Sequence, residues 1–260
     1  MRVPTKSNSL LKSVLESATS NIELNALWEA SNVMAVKRLE MSDHGPTHVA
    51  IVSNLALKIL RNLAAGGLTP SIITDWVLSQ EDAEVVVFLA SIMHDLGNAV
   101  HRDLHDDFGV ILANRLLHQI LPPAYPDPRL RQIIISETEH AMVAHDPDVA
   151  VHTIEGGVVR IADGLDMKKG RSRIAFELGS KDIYKVSGMA VDEVNVLPPT
   201  TEKPVRVEII MSDAAGIFQV DYLLKKKILG SGLESYVEIV AKMRERSDGR
   251  ERLIDTYKIE

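Results

Sequence analysis

Nine histidines occupy positions 44 to 152 of a 260-residue chain, and none lies outside that interval. Three places within or just beyond it carry an imidazole or a carboxylate where apolar residues are the rule. His48 opens a stripe continued by Val52, Leu55 and Ile59, so helical spacing turns it inward. His94 and Asp95 end the helix whose centre is Val85-Val-Val-Phe-Leu-Ala90, and Asp163 lies among Val159, Ala162 and Leu165. Taken singly, His48 reads as a hydrogen-bonded core histidine and Asp163 as an ion-pair partner of Arg160. Taken together, four such residues on three buried helices point to one shared partner, because a buried carboxylate or imidazole is costly unless paired or bound to a cation. Neutral imidazole nitrogen and carboxylate oxygen are ligands for a divalent metal of the zinc, manganese or iron type. Four ligands leave positions open for water and substrate. With no Cys in the chain, any metal has to bind through His, Asp and Glu.

The elements that must position these residues are mostly helical. Apolar spacing predicts helix through residues 8–40, a second helix after Thr47 that stops at Gly66, Gly67 and Pro70, and a core helix over 81–95. Further helices are expected over 101–120, 128–143 and 154–167. The character changes after about residue 180. Strands are expected at 192–197 and 205–211, an amphipathic helix at 218–229 with Lys225, Lys226 and Lys227 exposed, and a third strand at 235–241. From Lys242 onward the charged residues read as a solvated helix or tail. The fold class is mainly α: a helical metal-binding domain over 1–178, followed by a small α+β unit of ββαβ order over 179–260.

The order His48, then His94-Asp95, then Asp163 resembles the HD-domain superfamily of metal-dependent phosphohydrolases. The surrounding text agrees: His48-Val-Ala-Ile-Val52, Leu89-Ala-Ser-Ile-Met-His-Asp-Leu-Gly97 and Arg160-Ile-Ala-Asp-Gly-Leu165. The resemblance covers roughly residues 40–175. It implies a helical bundle around one or two divalent ions (Mn, Fe, Zn, Ni or Co), with His48, His94, Asp95 and Asp163 as ligands of the first. In binuclear members further histidines hold a second ion. His105, followed four residues later by Gly109, is similar to one of these. His140, in Glu137-Thr-Glu-His140, is similar to the other, with His145 as competitor. His101 shares a face with His105, and His101, His118, His145 and His152 otherwise read as surface residues. Asp95 would bridge and help accept a proton. Several HD families carry Lys shortly after the His-Asp pair, where this chain has Asn98. Phosphate binding then falls to Arg102 or to the run Lys168, Lys169, Arg171 and Arg173, which otherwise reads as a solvated loop.

The implied activity is hydrolysis of a phosphomonoester or phosphodiester, most naturally of a nucleotide. The competing readings are a nucleotide-sensing module without turnover, which Asn98 favours, and a di-iron oxygenase on the same scaffold. The C-terminal layout and Gly170-Arg-Ser-Arg173 are distantly similar to ribonuclease Y. That family's membrane anchor and RNA-binding domain are not seen here, and the net charge of −7 suits a small substrate better than RNA. No apolar run is long enough for a membrane span, and residues 1–12 lack the apolar core of a signal peptide, so the cytoplasm is the expected location. An exposed strand edge in the C-terminal unit would let two copies pair as a homodimer.

Overall fold

The computed structural model describes residues 1–171, 183–200, 203–244 and 256–259. Helices α1 (Ser9–Ser20) and α2 (Ile22–Asn32) are each opened by an asparagine, Asn8 and Asn21, whose side-chain oxygen accepts a backbone N–H three residues on. Asn21 thus divides the stretch expected to be continuous over 8–40, and Val33–Arg38 widens into a π-helical turn. Helix α3 (Pro46–Ala65) begins at a proline, which suits the first helical position because that N–H has no partner to lose. The short α4 (Ser71–Trp76) escapes the periodicity; its first amides, Ser71 and Ile72, donate to the buried Glu155 carboxylate.

Helix α5 (Gln80–Met93) starts in a capping box between Ser79 and Asp82 and is buried at every residue from Asp82 to Met93. It is the central helix, with α1, α3, α4, α7 and α8 packed around it, and this position accounts for a run that is apolar on all sides. Helices α6 (His105–Ile120), α7 (Pro128–Val143) and α8 (Ile154–Gly164) complete the bundle. Helix α6 begins at His105 rather than near 101, because Leu104 adopts a left-handed conformation that breaks the helix before it.

After α9 (Ile183–Met189) come β1 (Val191–Leu197), β2 (Val205–Met211), a π-helical turn over Gln219–Leu224 that runs into α10 (Lys225–Ile228), β3 (Val237–Met243) and β4 (Thr256–Ile259). The sheet order is β1-β2-β3-β4; β2 and β3 are parallel and the two outer pairs antiparallel. A helical crossover between β2 and β3 is what parallel pairing requires. Val205, Val207, Ile209 and Met211 alternate inward, while Arg206–Glu238 and Lys242–Glu208 pair on the outer face. The expectation of a solvated tail from Lys242 is corrected: Lys242 and Met243 finish β3, and Thr256–Ile259 adds a fourth strand. With only Ile259 buried, that strand is too short to declare itself by alternation. The apolar core runs without a break from Leu11 to Ile259, so helices and sheet share it. The architecture is therefore a mainly α bundle followed by a small α+β unit. Among the described residues no helix is long and apolar enough to cross a membrane.

Candidate metal centre

Four ligand atoms converge where α3, α5 and α8 meet. His48, in the first turn of α3, has its Nε2 3.3 Å from Asp95 Oδ2 and 3.3 Å from Asp163 Oδ1. His94, which caps α5, has its Nε2 3.2 Å from Asp95 Oδ2, 3.7 Å from Asp163 Oδ1 and 3.2 Å from His48 Nε2. The other nitrogen of each ring is committed. His48 Nδ1 donates to Asp166 Oδ2 (2.7 Å), and His94 Nδ1 donates to the Ser91 carbonyl (3.0 Å). Both Nε2 lone pairs therefore point into the cluster and at each other. Were both rings neutral, the two Nε2 atoms would face each other as acceptors, so the arrangement calls for a positive charge, a proton or a metal ion. Burial by itself would lower His48, yet hydrogen bonds to Asp163, Asp166 and Asp95 outweigh burial and raise it to about 10. The same contest, won by Asp95 and Asp163, raises His94 to about 9. Asp95 and Asp163 stay well below the usual carboxylate range despite their burial. A divalent ion would take the place of those protons, which is how an oxygen and nitrogen ligand set couples metal binding to proton release. The residues fit such an ion.

Asp95 faces two ways. Its Oδ1 lies 3.8 Å from His105 Nε2, at the start of α6. Asp106 Oδ1 lies 3.4 Å from His105 Nε2 and 3.5 Å from His145 Nδ1, and this buried oxygen has no hydrogen-bond partner. His145 donates from Nδ1 to the Met142 carbonyl (2.6 Å) and packs its ring 4.7 Å from that of His94 and 5.5 Å from that of His105. Burial lowers both His105 and His145, which favours the neutral rings that can ligate a metal. The groups His48, His94 and Asp163, then His94, Asp95 and His145, then His105, Asp106 and His145 each hold ligand atoms within 4.8 Å of one another.

The close approach of these groups rests on glycine. The turn Leu96–Ala99 lies so near the first turn of α6 that a Cβ on Gly97 would stand 1.8 Å from the His105 carbonyl oxygen and 2.6 Å from the Gly109 nitrogen. From the other side, Trp28 Nε1 donates to the Ile92 carbonyl (2.7 Å), and Ser31 reaches the Asp95 carbonyl.

At His140 the structure departs from the expectation. His140 is half-buried on α7, stacks on His152 and accepts the His152 N–H; it does not reach the cluster. The chain turns back after Val143, and that turn carries His145 inward. Buried Arg160 holds the turn by donating to the carbonyls of Ala144 (2.6 Å), Asp146 (2.7 Å) and Val149. His145 is accordingly a buried residue, not a surface one. His101, His118 and His152 are exposed, as expected. Sequence reasoning passed over Asp106, Asp166 and His44. His44 is a buried ring 5.6 Å from His48, lowered by burial to about 3. Asp166 lies two residues past the end of α8, where helical spacing gives no signal for it.

Asn98 does not face outward in place of a cation. It is buried, donates to Asp95 Oδ1 (2.9 Å) and accepts from Arg102 Nη1 (3.1 Å), and so sets the orientation of Asp95. A cavity of about 550 Å³ opens over Asp163 and Asp166, with Arg102, Arg171 and Lys227 in its wall. Arg171 donates to the Asp166 carbonyl (2.8 Å) and brings Nη2 within 3.5 Å of His48 Nε2. Lys169 is bound instead to Asp192 (2.8 Å) on β1, and Lys168 is exposed. Arg173 lies outside the described residues. Lys227, expected to be exposed with its neighbours, turns inward and donates to Asp163 Oδ2 and to the His145 carbonyl (3.2 Å). It follows buried Leu224 by three residues and so lies beside the inward stripe of its helix.

The family model for the HD domain matches residues 47–168, a segment that includes every residue of the cluster. An uncharacterized protein of Methanocaldococcus jannaschii is 39% identical over 232 residues, an alignment that covers 89% of each chain. No solved structure matches. The His/Asp cluster and the family match lead to one conclusion: this chain belongs to the HD-domain superfamily.

Proposed function

We propose that the protein is a metal-dependent phosphohydrolase that cleaves a small phosphomonoester or phosphodiester, of nucleotide type, with water as nucleophile. The observation that carries this reading is the convergence of His48, His94, Asp95 and Asp163 on one point beneath a cavity walled by cations. In this reading those four residues hold the first divalent ion. Asp95, His105, His145 and Asp106 would hold a second, with His145 taking the role expected of His140. A bound divalent ion lowers the pKa of water toward neutrality and neutralises charge on a phosphoryl group.

The remaining work falls to the chain. Asp95 would orient the water by accepting its hydrogen bond, and as the water oxygen bonds to phosphorus its proton passes through solvent to the departing ester oxygen. Asn98 keeps Asp95 turned toward both ligand groups. Arg102 and Arg171 meet the phosphoryl oxygens, Arg171 from beside His48. A cavity of about 550 Å³ suits a nucleotide rather than a polymer. Asn98, which from sequence favoured sensing without turnover, is explained by its bonds to Asp95 and no longer supports that alternative.

The test is elemental analysis of the purified protein with phosphatase and phosphodiesterase assays, on the wild type and on His94→Ala with Asp95→Ala. Two equivalents of transition metal, lost in the double variant together with activity, are expected. One equivalent would retire the second site. Bound metal with no phosphate ester hydrolysed would overturn the hydrolase reading.

A further inference from the structure

The cavity over the cluster has two walls of different origin. The inner wall is the bundle, and Arg102, Arg171 and His44 belong to it. The outer wall comes from the C-terminal unit and presents Tyr184 of α9, Gln219, Leu223 and Lys227. The family match ends at residue 168, before any of these four.

Lys227 has three N–H donors on its ammonium. One is given to Asp163 Oδ2 and one to the His145 carbonyl. The third has no bond to protein among the described residues, and Lys227 lines the cavity. Its neighbours do not share this placement: Lys225 pairs with Asp221 (3.2 Å) and Lys226 with Asp148 (2.9 Å), both on the outside. The stem of Lys227 lies across Gly164, where an added Cβ would stand 3.0 Å from Lys227 Cδ. Tyr184 is held by Gln219, whose Nε2 donates to the Tyr184 carbonyl (2.7 Å) and to Ser187 Oγ (2.8 Å). Its ring meets Phe218 edge-on at 5.3 Å, which supports the phenol from one side and leaves it about half exposed at the cavity. The π-helical turn Gln219–Leu224 also borders this cavity, as do Leu39 and Met41, which follow the π-helical turn Val33–Arg38. Such turns recur at functional sites.

We infer that the C-terminal unit builds the substrate-selecting half of the pocket: Lys227 binds the phosphate of the substrate with its third donor, and the Tyr184 ring receives a planar group, the base of a nucleotide. The inference rests on the phosphate-ester reading of the site and adds to it the residues that choose among esters. A charged hydrogen bond of this kind and an aromatic stacking contact are each worth about tenfold or more in affinity.

The test uses the full metal-loaded chain and variants Lys227→Met, Lys227→Arg and Tyr184→Leu, with metal content measured on each. Methionine keeps an apolar stem over Gly164, and arginine keeps the charge. Calorimetric titration with inorganic phosphate, ribose 5-phosphate and adenosine monophosphate reads binding independently of turnover. Lys227→Met is expected to retain metal and to weaken all three ligands at least tenfold, with Lys227→Arg recovering part of the loss. Tyr184→Leu is expected to weaken adenosine monophosphate at least fivefold and leave the other two within twofold. Unchanged phosphate affinity in metal-replete Lys227→Met overturns the inference, as does metal loss in both Lys227 variants, which would make the residue a strut for Asp163. Equal weakening of ribose 5-phosphate and adenosine monophosphate in Tyr184→Leu overturns the stacking half. The two readings fail separately. A wild type that hydrolyses esters while the variants leave affinities untouched keeps the hydrolase and sinks this inference. A wild type that hydrolyses nothing, but loses phosphate in Lys227→Met, does the reverse.

Discussion

The bundle and the C-terminal unit contribute to one pocket by different means. In the bundle, His48 and Asp163 sit on α3 and α8, whose apolar stripes pack on α5, and His94 and Asp95 end α5 itself, so the rule that builds the core also aims these ligands. In the C-terminal unit, the sheet faces the core with one side and solvent with the other, and among the described residues only the crossover between β2 and β3 reaches the cluster. The bundle specifies the chemistry from within its packing. The C-terminal unit supplies groups that need a second body to be docked before they have any position. The difference teaches that a metal cluster can be local in sequence pattern while the pocket above it is not.

The sharpest way to break that division is Arg160. Its guanidinium joins the turn that carries His145 to the C-terminal unit, donating also to the Gly230 carbonyl (3.1 Å). Arg160→Met leaves four carbonyls without this donor, that of buried Ala144 and three that are part-buried or exposed, and we expect a loss of about 4 kcal/mol in chemical denaturation, since an orphaned buried group costs about 1–3 kcal/mol and the more exposed ones less. If Arg160→Met unfolds in one transition with the whole loss, the two regions are one cooperative body. A transition confined to the sheet would separate them. Next comes Gly97→Ala, which acts inside the bundle alone. A methyl group aimed at the His105 carbonyl forces the turn after Asp95 away from α6, at a cost of about 3 kcal/mol. Thermal unfolding checks the cost, and elemental analysis of the variant should read at most one equivalent of metal.

How much could be read in advance follows the same line. His48, His94-Asp95 and Asp163 were legible because helical spacing of apolar neighbours marks a polar residue as buried, and burial of a charge demands a partner. The strands β1 and β2 were legible by alternation, and the crossover helix by its apolar stripe. Between His140 and His145 the sequence left the choice open, because His145 lies past the end of α7, where periodicity says nothing and contacts with Arg160 and Lys227 fix the direction of the chain. Lys227 was misjudged because three consecutive lysines look alike in one dimension. Which of them turns inward depends on the contact with α8, 64 residues away in sequence. Asn98 invited a reading by absence, as a missing lysine, when its amide is occupied with Asp95.

The histidines offer a medium-sized effect that sharpens the comparison. His145→Ala should remove one equivalent of metal in elemental analysis and leave the fold intact within about 1 kcal/mol. His140→Ala, five residues earlier on α7, should leave metal content unchanged and stability within about 0.5 kcal/mol. The reverse pattern would mean that the turn after Val143 rearranges around the ion, and the role of Arg160 would have to be rebuilt.

The smallest effect belongs to the outer face of the sheet. Arg206 on β2 pairs with Glu238 on β3 at 2.7 Å, and both side chains are open to solvent. Exposed pairs of this kind contribute about 0–1 kcal/mol, because screening and side-chain entropy cancel most of the attraction. Arg206→Ala should therefore lower the melting temperature by no more than a few degrees and leave metal content and phosphate affinity as they are. The inner face of the same strands packs under the crossover helix that presents Lys227, so the two faces of one sheet are expected to differ in kind: one side tuned to the pocket, the other neutral to it. A fall in phosphate affinity in Arg206→Ala would show that strain at the solvent face travels through β2 and β3 to Lys227, and would make the whole sheet, rather than one face of it, part of the site.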